Sequence, residues 1–199
     1  MFSKCYNQLK NTIFPCVFFS VLTGVWSACI ITVFKLLAEW FIHLSKDIYS
    51  AVREDPIWLP ILVLGAAVIG LIASFLLSVS HSCRGGGIPT AIAAIRGIVS
   101  FRWIVTILLL PVSAFLTYLA GLPLGTEGPC VQIGTAIGDG VVTCFTGDKH
   151  NGWRRYIMTG GASAGFSIVT ASPISAIIFS IYICILFLRH KFLLFFDKK

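Results

Sequence analysis

Residues 57–79 contain no charged side chain, and residues 13–34 repeat that feature near the start of the chain. Roughly twenty apolar residues in a helix reach across the hydrocarbon of a bilayer, where nothing outside the segment can satisfy a backbone N–H or C=O. Runs of this length therefore constrain the chain to membrane-spanning helices. Composition agrees: 57% of the 199 residues are hydrophobic and 12% are charged, whereas soluble domains carry about a quarter charged residues.

The 15 Lys and Arg against 8 Asp and Glu leave a net charge of +7. The cations stand singly between apolar runs rather than on one patch, so nucleic acid is not an expected partner and the bilayer is. Lys4 and Lys10 precede the first apolar run, which is too long for a signal-peptide core and reads as a retained helix. Seven cysteines lack metal-site spacing and are expected to pack as small apolar residues. No metal site or cofactor is expected.

The pattern predicts a tilted span over 13–34 that emerges through the interface over 35–46, then a polar loop over 46–55. Pro56 introduces the span 57–79. Residues 88–99 are too few to cross and read as a half-helix, and 103–124 is a further crossing with Pro111 inside it. A second short helical segment follows over 129–145, ending in a polar loop over 146–151. The small-residue run 160–165 suits close helix contact, Ser172 and Pro173 interrupt it, and 174–188 is a last apolar helix before a basic and aromatic tail, 189–199.

The fold class is thus all-α, a multi-pass integral membrane protein with broken, half-spanning helices. Residues 1–199 form one transmembrane domain of about four full spans plus several half-helices. Backbone that leaves a helix at membrane depth must face protein or a watery cavity, and Gly-marked breaks point to a transport site.

Two breaks share a design. In Gly85-Gly86-Gly87-Ile88-Pro89, glycines allow close backbone approach and Pro89 suits a helix's first turn. Such an opening presents unpaired N–H groups and the positive end of the helix dipole to an anion, or it is a plain interfacial turn. In Gly125-Thr126-Glu127-Gly128-Pro129-Cys130-Val131-Gln132-Ile133-Gly134, a carboxylate stands beside a second opening. A charged acid at mid-membrane is expensive, roughly 2.5–3.5 kcal/mol, and needs a partner or a function. Glu127 either caps its own helix or competes with a diffusing anion for the same N–H groups, which would make it a gate. Asp139 reads as a helix-end or cavity residue rather than a second gate.

A third break runs from Gly165-Phe166 to Thr170-Ala171-Ser172-Pro173-Ile174. Together the three resemble the chloride channel (CLC) family, whose patterns are G-S-G-I-P, G-[KR]-E-G-P-x-V-x-I-G, then A-G-F and N-A-P-L-A-G. The resemblance covers about 13–188, the first of the family's two inverted halves, and places the C-terminal repeat outside this sequence. It implies transport of small inorganic anions, chloride foremost, as the only bound species. The anion pathway would be lined by backbone at Gly86, Gly87, Ile88, Glu127 and Gly128, with Glu127 as gate. It also implies a homodimer through the face of 174–188, in the cell membrane.

Three departures stand out. Gly86 replaces the family's usual Ser, Thr126 replaces the basic residue beside the gate, and Tyr182 and Ile183 stand where proton-coupled members carry acids. Channel and exchanger both remain open. The rival class is a non-conducting scaffold, or a subunit that needs a complementary half. An intramembrane hydrolase is disfavoured, because Ser163, Ser167 and Ser172 have no facing histidine: His43, His81, His150 and His190 fall at predicted ends or loops.

Overall fold

The computed structural model describes residues 2–79, 85–99, 102–122, 124–147 and 153–196, with most side chains between 16 and 186. The order is α1 (Phe2–Glu54), a 3-10 turn (Pro56–Trp58), α2 (Leu59–Val79), α3 (Ile88–Arg96), α4 (Trp103–Leu119), α5 (Glu127–Thr146), α6 (Arg154–Thr170) and α7 (Pro173–Phe196). No strand occurs among the described residues. His81, Cys83, Arg84, the expected loop from Asp148 to Asn151, and Asp197 to Lys199 lie outside them.

Several expected boundaries move. The loop expected over 46–55 is helix as far as Glu54. Residues 25–55 contain no Gly or Pro, so polar side chains alone give the backbone no reason to stop. Pro56 does, because its ring disfavours the helical region for the residue before it. The same reasoning covers 189–196, expected as a tail: no breaker intervenes, and α7 continues to Phe196. The segment expected over 129–145 begins earlier, at Glu127, and its 20 residues make a rod of roughly 30 Å, long enough to cross rather than a half-helix. Nine-residue α3 is the true half-helix. α4 ends at Leu119, short of 124, while running through Pro111.

α5 is the hub. Every residue from Cys130 to Val142 is buried, enclosed by α1, α3, α4 and α6. The closest approach is to α6, where a side-chain carbon added to Gly134 would overlap the Gly161 carbonyl and one on Gly165 would overlap that of Cys130. On Gly138 it would come within 2.8 Å of the Ile157 carbonyl oxygen. In hydrocarbon, apolar burial supplies little drive for helices to associate, so close backbone contact at small residues has to supply it.

Ile31, Phe34 and Ala38 of α1, Leu110 and Tyr118 of α4, and Cys130 and Ile133 of α5 form one core cluster. A second joins Ala91 and Ile95 of α3 to Val131, Met158, Phe179 and Ile183. By contrast, α2 and one side of α7 present Leu, Ile, Val and Phe outward. Cys16–Glu54 and Leu59–Leu76 are each long and apolar enough to cross a membrane. The cysteines depart from expectation: among the described side chains only Cys130 is buried, Cys16 is half-buried, and Cys29, Cys144 and Cys184 face outward, all as free thiols.

Candidate functional site

The two Gly-Pro openings, some 40 residues apart in sequence, meet backbone to backbone. Gly87 caps α3 with φ of +70°, and a β-carbon there would stand 2.5 Å from both Cα and the carbonyl carbon of Gly128. One on Gly128 would stand 3.3 Å from the Gly86 carbonyl oxygen. Glycine is required at 87 twice over, by the left-handed φ and by the neighbouring main chain. Pro89 lies within the first two helical positions, where its missing N–H removes nothing.

The amides at these openings are only partly taken. The Ile88 N–H donates to the Gly86 carbonyl at 2.8 Å and Ala91 N–H to Gly87 at 2.9 Å, so the Ile88 amide, expected to face the ion, is already engaged. The first backbone donor of α5 with a partner outside its own ladder is Cys130, to Thr126 at 3.2 Å. Pro129 has no N–H, and the amides of Glu127 and Gly128 belong to the first turn that a helix leaves unsatisfied. Thr126 takes the position before the helix without capping it through its side chain.

Glu127 is exposed on the surface of this chain, one residue from the Gly87–Gly128 contact. Among the described residues it enters no hydrogen bond or ion pair, so the self-capping alternative finds no side-chain contact in its favour. Gly85, with φ of +122°, turns the chain against Thr90. Gly86 differs from its neighbours: a β-carbon would meet only Pro89, at 3.5 Å, an ordinary contact.

Asp139 was not recognisable from its spacing. It sits in mid-helix, not at a helix end, is 1% exposed, and forms an ion pair with Arg154 at the start of α6. The Arg154 Nε–H donates to its Oδ1 at 2.6 Å. Beside the pair lies an open cavity of about 250 Å³ that Arg102 and Trp103 also line. Tyr182 is exposed and Ile183 is 1% exposed in the α3–α5–α7 cluster, so an acid at 183 would lie in apolar packing. Ser163 exchanges a 2.7 Å hydrogen bond with Ser180 of α7, and Ser167 donates to the Ser172 carbonyl at 3.0 Å; both hydroxyls serve packing.

An all-helical membrane domain with two Gly-marked helix openings in contact and a carboxylate beside them defines the class. The family model described as voltage gated chloride channel matches residues 65–195, and the chain belongs to that family. Curated relatives include the H(+)/Cl(-) exchange transporter ClcA of Vibrio campbellii, 29% identical over 180 residues, covering 84% of this chain and 36% of that protein. The ClcA of Vibrio cholerae serotype O1 is 30% identical over 181 residues, covering 86% and 37%, and that of Salmonella schwarzengrund is 25% identical over 176 residues, covering 87% and 37%. The chain spans little more than a third of the length of these relatives.

Proposed function

We propose that this chain supplies one wall of a transmembrane pathway for small inorganic anions, chloride foremost, with Glu127 as its gate. The observation that carries the reading is the backbone contact between Gly87 and Gly128, with the Glu127 carboxylate, unpaired among the described residues, beside it. Two helix openings that share one spot pool their unpaired amides and positive dipole ends, and this favours an anion without the strong grip of a fixed charge. The Glu127 carboxylate, tethered at the lip, competes for those amides when ionised and releases them when protonated. Homology to H(+)/Cl(-) exchange transporters supports the substrate class.

Gly85, Gly86 and Glu127 are exposed on this chain, so the reading places complementary backbone, from a second half, across from Glu127. It also places the protein in the cell membrane as a pair whose contact uses the outward face of α7 (Ile174, Ile177, Ile178, Ile181, Ile185). The rival reading, a non-conducting partner subunit, draws on the fraction of its relatives that the chain covers.

Glu127→Gln in liposomes holding the complete assembly tests the gate. Chloride efflux, read with a selective electrode, is expected to lose its response to acidification. An unchanged rate and pH response would remove Glu127 from the pathway, and absence of flux in the wild-type assembly would favour the subunit reading.

A further inference from the structure

Lys35 is half-buried in the central part of α1. Phe34 and Phe41, on either side of it along the helix, both stack on Phe115 in the interior of α4, at 5.2 and 5.0 Å. A cation at that depth is expensive and by default marks a function or a partner. Glu39, one turn further on, is well spaced to pair with it. Yet among the described residues neither Lys35 nor Glu39 enters a hydrogen bond or an ion pair.

Its level relative to α5 follows from the contacts along both helices. Phe19 stacks near Phe145 and Trp153, at 5.5 and 5.3 Å, so the early part of α1 lies by the C-terminal end of α5. Ile31 reaches the point where Gly165 crosses Cys130 in the first turns of α5. The two helices therefore run in opposite directions. Four positions past Ile31 on α1 stands Lys35, and three positions before Cys130 on α5 stands Glu127; the backbone at Lys35 and the opening of α5 share a level. Cys130 packs in one core cluster with Ile31, Phe34 and Ala38, the α1 residues that flank Lys35. In the same cluster the Tyr118 hydroxyl is buried with no hydrogen-bond partner among the described residues.

We propose that Lys35 is an affinity-setting residue of the anion pathway, a positive charge held beside the opening of α5 that draws a small monovalent anion toward the Gly86–Gly128 amides. This rests on reading that opening as an anion site. The amides contribute partial charges with fixed directions, which select for position and size. A full charge at one side contributes a longer-ranged attraction that does not depend on the anion's shape. Lys35 would thus set how strongly anions are held, while the backbone sets which are preferred.

The test is chloride titration calorimetry on the detergent-solubilised complete assembly, carried out for Lys35→Met, Lys35→Arg, Lys35→Glu and Glu127→Gln, with a thermal melt of each. Removing a unit charge near the ion is expected to weaken chloride binding about tenfold in Lys35→Met. Lys35→Arg is expected to stay within threefold of wild type, and Lys35→Glu to fall below Lys35→Met. The melting midpoints of the Met and Arg variants are expected to remain within about 3 °C of wild type. Wild-type affinity in Lys35→Met, with Glu127→Gln altered, overturns the role of Lys35 and leaves the proposed site intact. Unaltered affinity in Glu127→Gln instead removes the reading on which this inference rests. A lowered melting midpoint with unchanged chloride affinity in both Lys35→Met and Lys35→Arg would make Lys35 the structural partner of a buried carboxylate and overturn the proposal. Should Lys35→Met not fold, the ranking of the Arg and Glu variants decides in the same way.

Discussion

The two acids of α5 sit three turns apart on one helix and live in different physical worlds. Asp139 is enclosed, ion-paired to Arg154 and surrounded by helices on several sides. Glu127 lies at the open end, without a partner in the described chain, beside the meeting point of two helix openings. A buried carboxylate with a bound counter-charge is neutralised once and for all, and its work is structural. A carboxylate with no partner among the described residues stays free to exchange partners, as the proposed gate has to. The difference separates two residues that composition and hydropathy treat alike.

The comparison breaks most severely if the helix contact beneath it fails. Gly161→Val puts a branched side chain into the Gly134 carbonyl, and backbone there cannot yield. We expect a loss of about 4 kcal/mol or more and no monodisperse peak on size exclusion in detergent. Asp139→Asn removes the carboxylate charge that the Arg154 guanidinium, 23% exposed, faces. Breaking a fully buried pair costs about 3–5 kcal/mol, and the partial exposure of Arg154 brings this to roughly 2–3 kcal/mol, a fall in melting midpoint of about 5–10 °C. A neutral outcome would put Asp139 on the same footing as Glu127.

Gly87→Ala tests the other end. An alanine at φ of +70° and ψ of −76°, outside the left-handed helical basin, is strained by about 1–3 kcal/mol and its methyl meets the Gly128 main chain. Anion affinity by calorimetry should fall about tenfold while the protein still folds. Glu127→Gln should leave the melting midpoint unchanged, a stability change within about 0.5 kcal/mol, with the pH response of flux lost. A drop as large as that of Asp139→Asn would mean that Glu127 is a structural acid too. The smallest effect belongs to Gly86→Ser: the side chain fits against Pro89 at 3.5 Å, and one added hydroxyl donor should change chloride affinity by roughly twofold to tenfold, readable as a shift in the chloride-to-nitrate flux ratio.

Much of the fold was legible from the order of residues. Charge-free runs marked α2 and the apolar part of α1, Gly-Pro pairs marked the starts of α3 and α5, and Ser172-Pro173 marked the break before α7. Polarity does not by itself end a helix. The stretch 46–54 is charged yet contains no residue that disfavours a helix, so it stays helical; exposure and breaking are separate properties. Of the two places expected for Asp139, the cavity holds and the helix end, suggested by Gly138 and Gly140 beside it, does not. In the structure Gly138 makes room for the backbone at Ile157 and Gly140 for the Trp103 ring.

Local chemistry, readable along the chain, thus determined that lipid surrounds these helices and that two of them begin with glycine and proline. Such properties depend only on near neighbours: hydrogen bonds that must close within a segment, and a ring that cannot donate one. Only the tertiary structure decided that the two openings touch, that Asp139 finds Arg154, and that Lys35 stands level with Glu127. Those pairings join residues far apart in sequence, and they are set by which glycine faces let helix backbones close on each other.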